Sequence, residues 1–265
     1  VHYFRVRVWG AISWVLVGGA LTVWRRSGRW RVKGADCLVL AGVFSLIMGV
    51  YCFFLPHTPP AHQAGAVVPF VQALSMLKDP NMLIFLILAF VVSTQLQFYF
   101  LGTARYLEDI GTPHAAIPAL MGIAQLAQVV AMALILPVTF PRLGYQWTLA
   151  LATGLWLLMF LIYARLRQRN LVIASMALHG LAFAFFFDAA FIYVNRVAPP
   201  EIRGSAQALY TTVTLGLGLF VGTRITGAVM DRFRREGGFQ WRTIFLVPCL
   251  LLAVCALAFI FFFKG

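Results

Sequence analysis

Apolar residues run through the sequence in long, nearly unbroken tracts separated by short polar clusters. Eight tracts stand out, at roughly 8–24, 37–55, 81–104, 115–139, 147–164, 171–194, 205–229 and 243–263. Each is close to the ~20 residues that a helix needs to cross the hydrocarbon core of a bilayer. Their texture is continuous Leu, Ala, Phe and Val, not the alternation of an outer-membrane strand. A helix also satisfies its own backbone hydrogen bonds where no water is present. The pattern therefore predicts eight membrane-spanning helices joined by short loops, with no room for a soluble domain. Glycines fall where such helices would touch: Gly18-Gly19 in the first tract, and Gly218 and Gly222 in the seventh. The Gly218-x-x-x-Gly222 spacing predicts close helix packing, and its mid-tract position argues against a nucleotide loop. No signal-peptide pattern precedes the first tract. Because Val1 stands where Met is usual, the expectation is a non-AUG start or a piece of a longer protein.

Composition sharpens this picture. Of 265 residues, 62% are apolar and 11% charged, against about 45–50% and about 25% in soluble domains. That excludes an ordinary soluble enzyme. The net charge of +13 would point to nucleic acid in a soluble chain. Here Lys and Arg gather beside the tracts, where anionic headgroups and topology favour them, and no nucleic-acid partner is expected. The largest cluster is Arg25, Arg26, Arg29, Arg31 and Lys33. Cys37, Cys52, Cys249 and Cys255 lie in apolar runs without CxxC spacing, so they read as packing residues. Neither a disulfide framework nor a metal site is expected. Loops 25–36, 105–114, 164–170 and 230–243 hold 13 basic residues, and the termini with loops 56–80, 140–146 and 195–204 hold 7. Taken alone, this excess places the first set of loops in the cytoplasm and both termini outside.

Ionisable groups inside a bilayer are costly and tend to mark transport paths. Asp188, in Ala182-Phe183-Ala184-Phe185-Phe186-Phe187-Asp188, is the one acidic residue well inside a tract. It is a candidate for proton exchange, the plainer reading being that it reaches headgroups or a neighbouring amide. His179, nine residues earlier, would point to the opposite face of a regular helix, which argues against a direct relay. Arg224 reads as a snorkelling side chain. Ser93, Thr94, Gln95 and Gln97 precede Phe98, Tyr99 and Phe100 in the third tract, and Gln125 and Gln128 share a face of the fourth. Amides beside aromatics suit a flat, polar, uncharged solute such as a nucleoside or sugar. The same glutamines could instead be interhelical glue.

Several strings resemble the nucleoside:proton symporter family of the major facilitator superfamily. Arg5-Val6-Arg7-Val8-Trp9-Gly10-Ala11-Ile12 resembles the start of that family's fifth helix, Leu55-Pro56-His57-Thr58-Pro59-Pro60 the end of its sixth, and Gln95-Leu96-Gln97 its seventh. Phe185-Phe186-Phe187, Ile192-Tyr193-Val194 and Ala198-Pro199-Pro200-Glu201-Ile202-Arg203-Gly204-Ser205-Ala206-Gln207 resemble helix ten and its following loop. Trp241-Arg242-Thr243-Ile244, with Pro248, resembles the start of helix twelve. The strings keep the family's order across nearly the whole chain.

The resemblance implies an all-α polytopic membrane protein, helices five to twelve of a twelve-helix bundle. Residues 1–55 would be the last two helices of the N-terminal half, 56–80 a cytoplasmic linker with a short amphipathic segment, and 81–265 the C-terminal six-helix half. It implies secondary active nucleoside uptake coupled to protons at an inner or plasma membrane, without a cofactor, and with the four absent helices or a second chain as partners. Because loop 199–204 resembles a cytoplasmic loop, both termini would be cytoplasmic, against the Lys/Arg count.

The candidate substrate-binding residues are Arg7, Trp14, Gln97, Gln125, Gln128, His179 and Phe183, with Asp188 as the proton-coupling candidate. Arg7, Gln97 and Gln125 match family substrate-site positions in chemistry, and Phe183 matches an aromatic. Three positions depart: Gln128 stands at the family's helix-eight acid, Met159 where Arg is frequent, and Ala184 at the helix-ten aspartate assigned to proton handling. Asp188 lies one turn beyond Ala184 and would substitute for it. The alternatives are an uncoupled facilitator or a non-transporting receptor or scaffold of the same fold. A lipid-modifying enzyme would have to draw on His57 and His62, which no carboxylate or Cys accompanies.

Overall fold

The computed structural model describes residues 2–27, 35–57, 69–166 and 168–265. Eleven α-helices carry the fold among them: α1 (His2–Arg26), α2 (Ala35–Cys52), α3 (Pro69–Ser75), α4 (Pro80–Asp109), α5 (Ile117–Val130), α6 (Leu136–Arg165), α7 (Arg169–Phe183), α8 (Ala189–Val197), α9 (Arg203–Thr211), α10 (Leu219–Arg232) and α11 (Trp241–Phe261). Single π-helical turns at Ala131–Ile135, Ala184–Asp188 and Thr212–Gly218 join α5 to α6, α7 to α8 and α9 to α10 without a break.

Among the described residues, seven helical stretches are long and apolar enough to cross a membrane. The stretch His114–Arg165, 52 residues long, would extend about 78 Å at about 1.5 Å per residue, far beyond a bilayer. It turns back at Gly144, whose φ of 66° and ψ of −174° lie in a region open essentially to glycine alone. This one stretch is thus two crossings, as the tracts 115–139 and 147–164 predict, which makes eight among the described residues. The protein is a multi-pass helical membrane protein.

Local chemistry sets the ends. Pro80 opens α4, and the Asp79 side chain accepts from the Asn81 N–H at 3.0 Å, satisfying a donor that the first turn leaves free. The Asn81 amide also donates to Tyr193 Oη at 3.0 Å and to the Lys264 carbonyl at 2.6 Å, tying three helix ends together. Between α10 and α11 the chain makes a small hairpin, β1 (Arg234–Arg235) antiparallel to β2 (Gly238–Phe239).

Inside hydrocarbon the drive to pack comes from close van der Waals contact, so small residues sit at the crossings. Gly222 lies against the Thr94 backbone, and a Cβ on Gly218 would come within 2.8 Å of Ser93 Cβ. The Gly218-x-x-x-Gly222 stripe therefore seats the last π turn and α10 on α4, as its spacing predicts. Gly180 brings α7 onto α5 so tightly that a Cβ would overlap the Ala124 carbonyl. Gly18 lets α1 rest on Pro118 at the start of α5. Trp156, Tyr106, Tyr163, Phe160 and Phe245 fill the centre, fully buried.

The first two helices attach more loosely. α1 packs on α5, while α2 buries little beyond Asp36. Arg25 holds that carboxylate in two hydrogen bonds, 2.7 and 3.1 Å long. The linker expected over 56–80 falls partly on residues 58–68, outside the described residues, as does His62. Its described part includes α3, which packs against α9 and the turn at Pro200–Ile202. Linker and Pro-Pro-Glu-Ile-Arg-Gly loop thus share one end of the bundle. At the other end, Asp109 accepts from Trp241 Nε1 at 2.9 Å, and Arg169 donates to the Gly111 carbonyl at 3.4 Å. The basic loops 105–114, 164–170 and 230–243 meet there.

Candidate functional site

A cavity of about 650 Å³ opens between α1, α4 and α5. Trp14 and Val17 of α1 form one wall, Tyr99 and Phe100 of α4 the facing one, and Met121 and Gln125 of α5 the third. Arg25, Arg105, Glu108 and His114 line its charged mouth. There His114 Nδ1 stands 2.6 Å from Glu108 Oε1, and Arg105 bridges to Glu108 and Asp109 at 3.4 Å each. Most of the wall is aromatic or aliphatic with a single amide, Gln125, turned in. Such a wall accepts a flat apolar face and offers it few but directional polar contacts.

Behind the Tyr99 wall lies a buried histidine. His179 of α7 stacks on Tyr99 with ring centroids 3.7 Å apart and planes 14° apart. The Trp156 indole N–H donates to His179 Nδ1 at 3.1 Å. An indole nitrogen is only ever a donor, so Nδ1 is the acceptor and the neutral ring carries its proton on Nε2. That Nε2 is buried and has no hydrogen-bond partner. An aromatic line continues from His179 through Phe183, at 6.1 Å, to Phe187, a further 4.5 Å on.

At the end of this line Asp188, 1% exposed, pairs with Arg7 of α1 at 3.4 Å from Nε to Oδ1. The guanidinium also lies 5.6 Å above the Phe191 ring. The π turn Ala184–Asp188 lies between His179 and the aspartate, so the two are not related by regular helical geometry. Among the described residues no group of three or more His, Cys, Asp or Glu side chains comes together as a metal site.

The candidate residues thus fall into connected groups. Trp14 and Gln125 line the cavity, His179 and Phe183 back it, and Arg7 meets Asp188. Gln128 is buried, and its backbone lies beneath Gly180. It does not join Gln125 in the cavity, although the two share a helix face in sequence. Gln97 is half-buried and outside the cavity lining. Ser93 and Thr94 serve as the seat for Gly218 and Gly222, and Gln95 donates to Thr94 Oγ1 at 2.5 Å. For Ser93 and Thr94, interhelical packing is the reading the structure supports, while Gln95 bonds within its own helix. Arg224 is exposed and lies over Phe220, as a snorkelling side chain would. Met159 and Ala184 are fully buried. His57 is exposed and outside any helix.

Two features were not legible in the sequence. The bond from Trp156 to His179 joins two helices that no local spacing links. Arg7 and Asp188 lie so far apart along the chain that no local spacing links them.

Comparison with known proteins agrees with this architecture. Solved structures of the nucleoside transporter NupG superpose with TM-scores of 0.81 for a mutant form and 0.79, at 24% and 23% identity, covering 98% of this chain and 67% of theirs. The fold is therefore of that transporter type, as the resemblance implies. In Escherichia coli (strain K12), a putative nucleoside transporter, YegT, is 30% identical, the nucleoside permease NupG 26% and a xanthosine permease 27%. Each match takes in 98% of this chain, which spans 64% of those relatives' length. The family model for nucleoside H+ symporters matches residues 1–265 from end to end, and the chain belongs to that family.

Proposed function

We propose that this chain serves secondary active transport, moving a nucleoside across the membrane together with a proton. The observation that carries the reading is the cavity itself, which Trp14, Tyr99 and Phe100 line together with the Gln125 amide. Two aromatic walls offer a nucleobase stacking surfaces worth about 1–3 kcal/mol, and one amide offers both donor and acceptor. His179 contributes from behind: with Nδ1 occupied by Trp156, its Nε2–H is the donor left for a substrate oxygen. Phe183, Gln97 and Gln128 complete the proposed set, Gln128 through the α5–α7 crossing and not through direct contact.

Asp188 is the proposed proton carrier. Paired with Arg7, it is accommodated as a carboxylate in an interior that tolerates no lone charge. When α1 shifts and the guanidinium leaves, taking up a proton offsets the loss of that cation. Proton binding and movement of α1 are then linked events, as alternating access around a fixed site requires. The proposed setting is the inner or plasma membrane, with residues 1–55 and 81–265 belonging to opposite halves and 56–80 linking them. Both termini would be cytoplasmic, because α3 and loop 199–204 share one end.

The test is uptake of labelled uridine by the protein with its full chain, with and without a pH gradient, for the wild type and Asp188→Asn. Gradient-driven accumulation that collapses in Asp188→Asn is the expected result. Accumulation unchanged by the substitution would refute Asp188 as carrier. Equilibration without accumulation in the wild type would favour an uncoupled facilitator, a reading that the buried, neutral Met159 and Ala184 also fit. Binding without flux would mark a receptor. Orientation is tested by thiol labelling of single cysteines at Glu201 and Glu236 in intact cells, where labelling at 236 alone is expected.

A further inference from the structure

Serine and threonine hydroxyls within this bundle commonly bond back to a carbonyl one turn earlier. Ser93 donates to the Ala89 carbonyl at 2.7 Å, Thr153 to Leu149 at 2.8 Å and Thr214 to Tyr210 at 2.7 Å. Thr103 departs from this habit. Its hydroxyl, fully buried in α4, faces the Tyr163 hydroxyl of α6, yet neither completes a well-formed hydrogen bond. Tyr99, one turn before Thr103 and so on the same face, brings a third buried hydroxyl without a partner. It lies near enough to Tyr163 for the two to interact electrostatically.

Three buried hydroxyls, each at most 2% exposed and none with its hydrogen-bonding capacity filled, are costly in a membrane interior unless something polar lies between them. A water molecule needs two to four polar partners to be held inside a protein. Each hydroxyl here supplies one donor and two acceptor sites, so two tyrosines can donate to a water that in turn donates to Thr103. We infer that Tyr99, Thr103 and Tyr163 hold an internal water between α4 and α6.

Its position gives the site a consequence. Tyr99 lines the cavity on one side and stacks on His179 on the other. Beyond Tyr163, the Tyr106 hydroxyl donates to the carbonyls of Tyr163 at 3.1 Å and Leu166 at 3.3 Å, where α6 ends. The water would lie in a layer otherwise built of aromatic rings, next to the Tyr99 wall of the cavity. This inference does not depend on what the cavity carries.

Radiolytic footprinting of the purified protein with its full chain tests it, since X-rays convert a bound water into a hydroxyl radical that oxidises the side chain holding it. Oxidation at Tyr163 is read relative to the same residue in denatured protein. The expected result is several-fold labelling of Tyr163 above its level in Thr103→Val, with Thr103→Ser retaining the wild-type level. A Tyr163 that stays unlabelled, or that labels equally in Thr103→Val, overturns the site. Should Thr103→Val fail to fold, Tyr163→Phe read at Tyr99 serves instead: loss of labelling supports a shared water, while unchanged labelling shows Tyr99 wetted from the cavity alone and refutes it.

Discussion

The Arg7–Asp188 pair is asymmetric, and that asymmetry predicts which substitution hurts more. Asp188 is 1% exposed, whereas the Arg7 side chain is 40% exposed. At their 3.4 Å separation, two unit charges attract by about 5 kcal/mol at an effective dielectric of about 20. The exposure of Arg7 discounts that to about 2 kcal/mol, because solvent screens the cation. Arg7→Gln removes the cation from beside a carboxylate that cannot reach solvent. Asp188→Asn instead leaves an arginine that can swing outward on its flexible stem. Arg7→Gln is therefore expected to cost about 2 kcal/mol or more, with Asp188→Asn under about 1 kcal/mol, and the double variant to recover most of the loss. For a chain of this size the larger loss lowers Tm by about 4–8 °C. The assay is thermal unfolding of the detergent-purified protein with its full chain, all four forms measured in parallel at neutral pH. Equal losses for the two single variants, or strict additivity in the double, would refute the pairing as the determinant of Asp188's environment.

Further expectations follow from the same packing. Gly180→Ala should cost about 3 kcal/mol or more, because its Cβ meets the Ala124 backbone. Gly154→Ala, with open space around it, should be neutral or stabilise by up to about 1 kcal/mol; expression level and Tm separate the two. Gly144→Ala, at φ 66°, should lose about 1–3 kcal/mol through backbone strain, seen as a lower Tm. Trp14→Ala should weaken uridine binding roughly tenfold, about the loss of one stacking contact, with Tm unchanged because Trp14 is 66% exposed; isothermal titration checks it.

The sequence foretells the spans well because hydrophobic run length is a direct physical requirement of the bilayer. It separates the two crossings within His114–Arg165 because Pro137, Pro141, Arg142 and Gly144 interrupt the apolar run. The π turns are a different matter. Ala184–Asp188 adopts i→i+5 bonding inside an aromatic string that reads as ordinary helix, since the choice depends on packing from neighbouring helices and not on local propensity. Helix-face arguments that cross such a turn therefore lose their register. The separation of His179 from Asp188 rests on the structure and not on counting 100° steps.

The polar residues show why local pattern identifies a candidate site but not its membership. Ser93, Thr94, Gln95 and Gln97 read as one polar face, yet the first two are spent on Gly218 and Gly222, and Gln95 bonds within its own helix. Gln125 and Gln128 share a face, yet Gly180 admits α7 so closely that Gln128 is covered while Gln125 remains in the cavity. In both cases the deciding residue is a glycine on another helix, whose missing side chain sets how near the backbones come. The charges behave likewise. Asp36 meets Arg25 across a short loop, but Asp188 meets Arg7 from a helix far away in the sequence. A carboxylate that reads as solitary in a tract of phenylalanines is thus half of an interhelical pair. That partner comes from α1, the same helix that forms the Trp14 wall of the cavity.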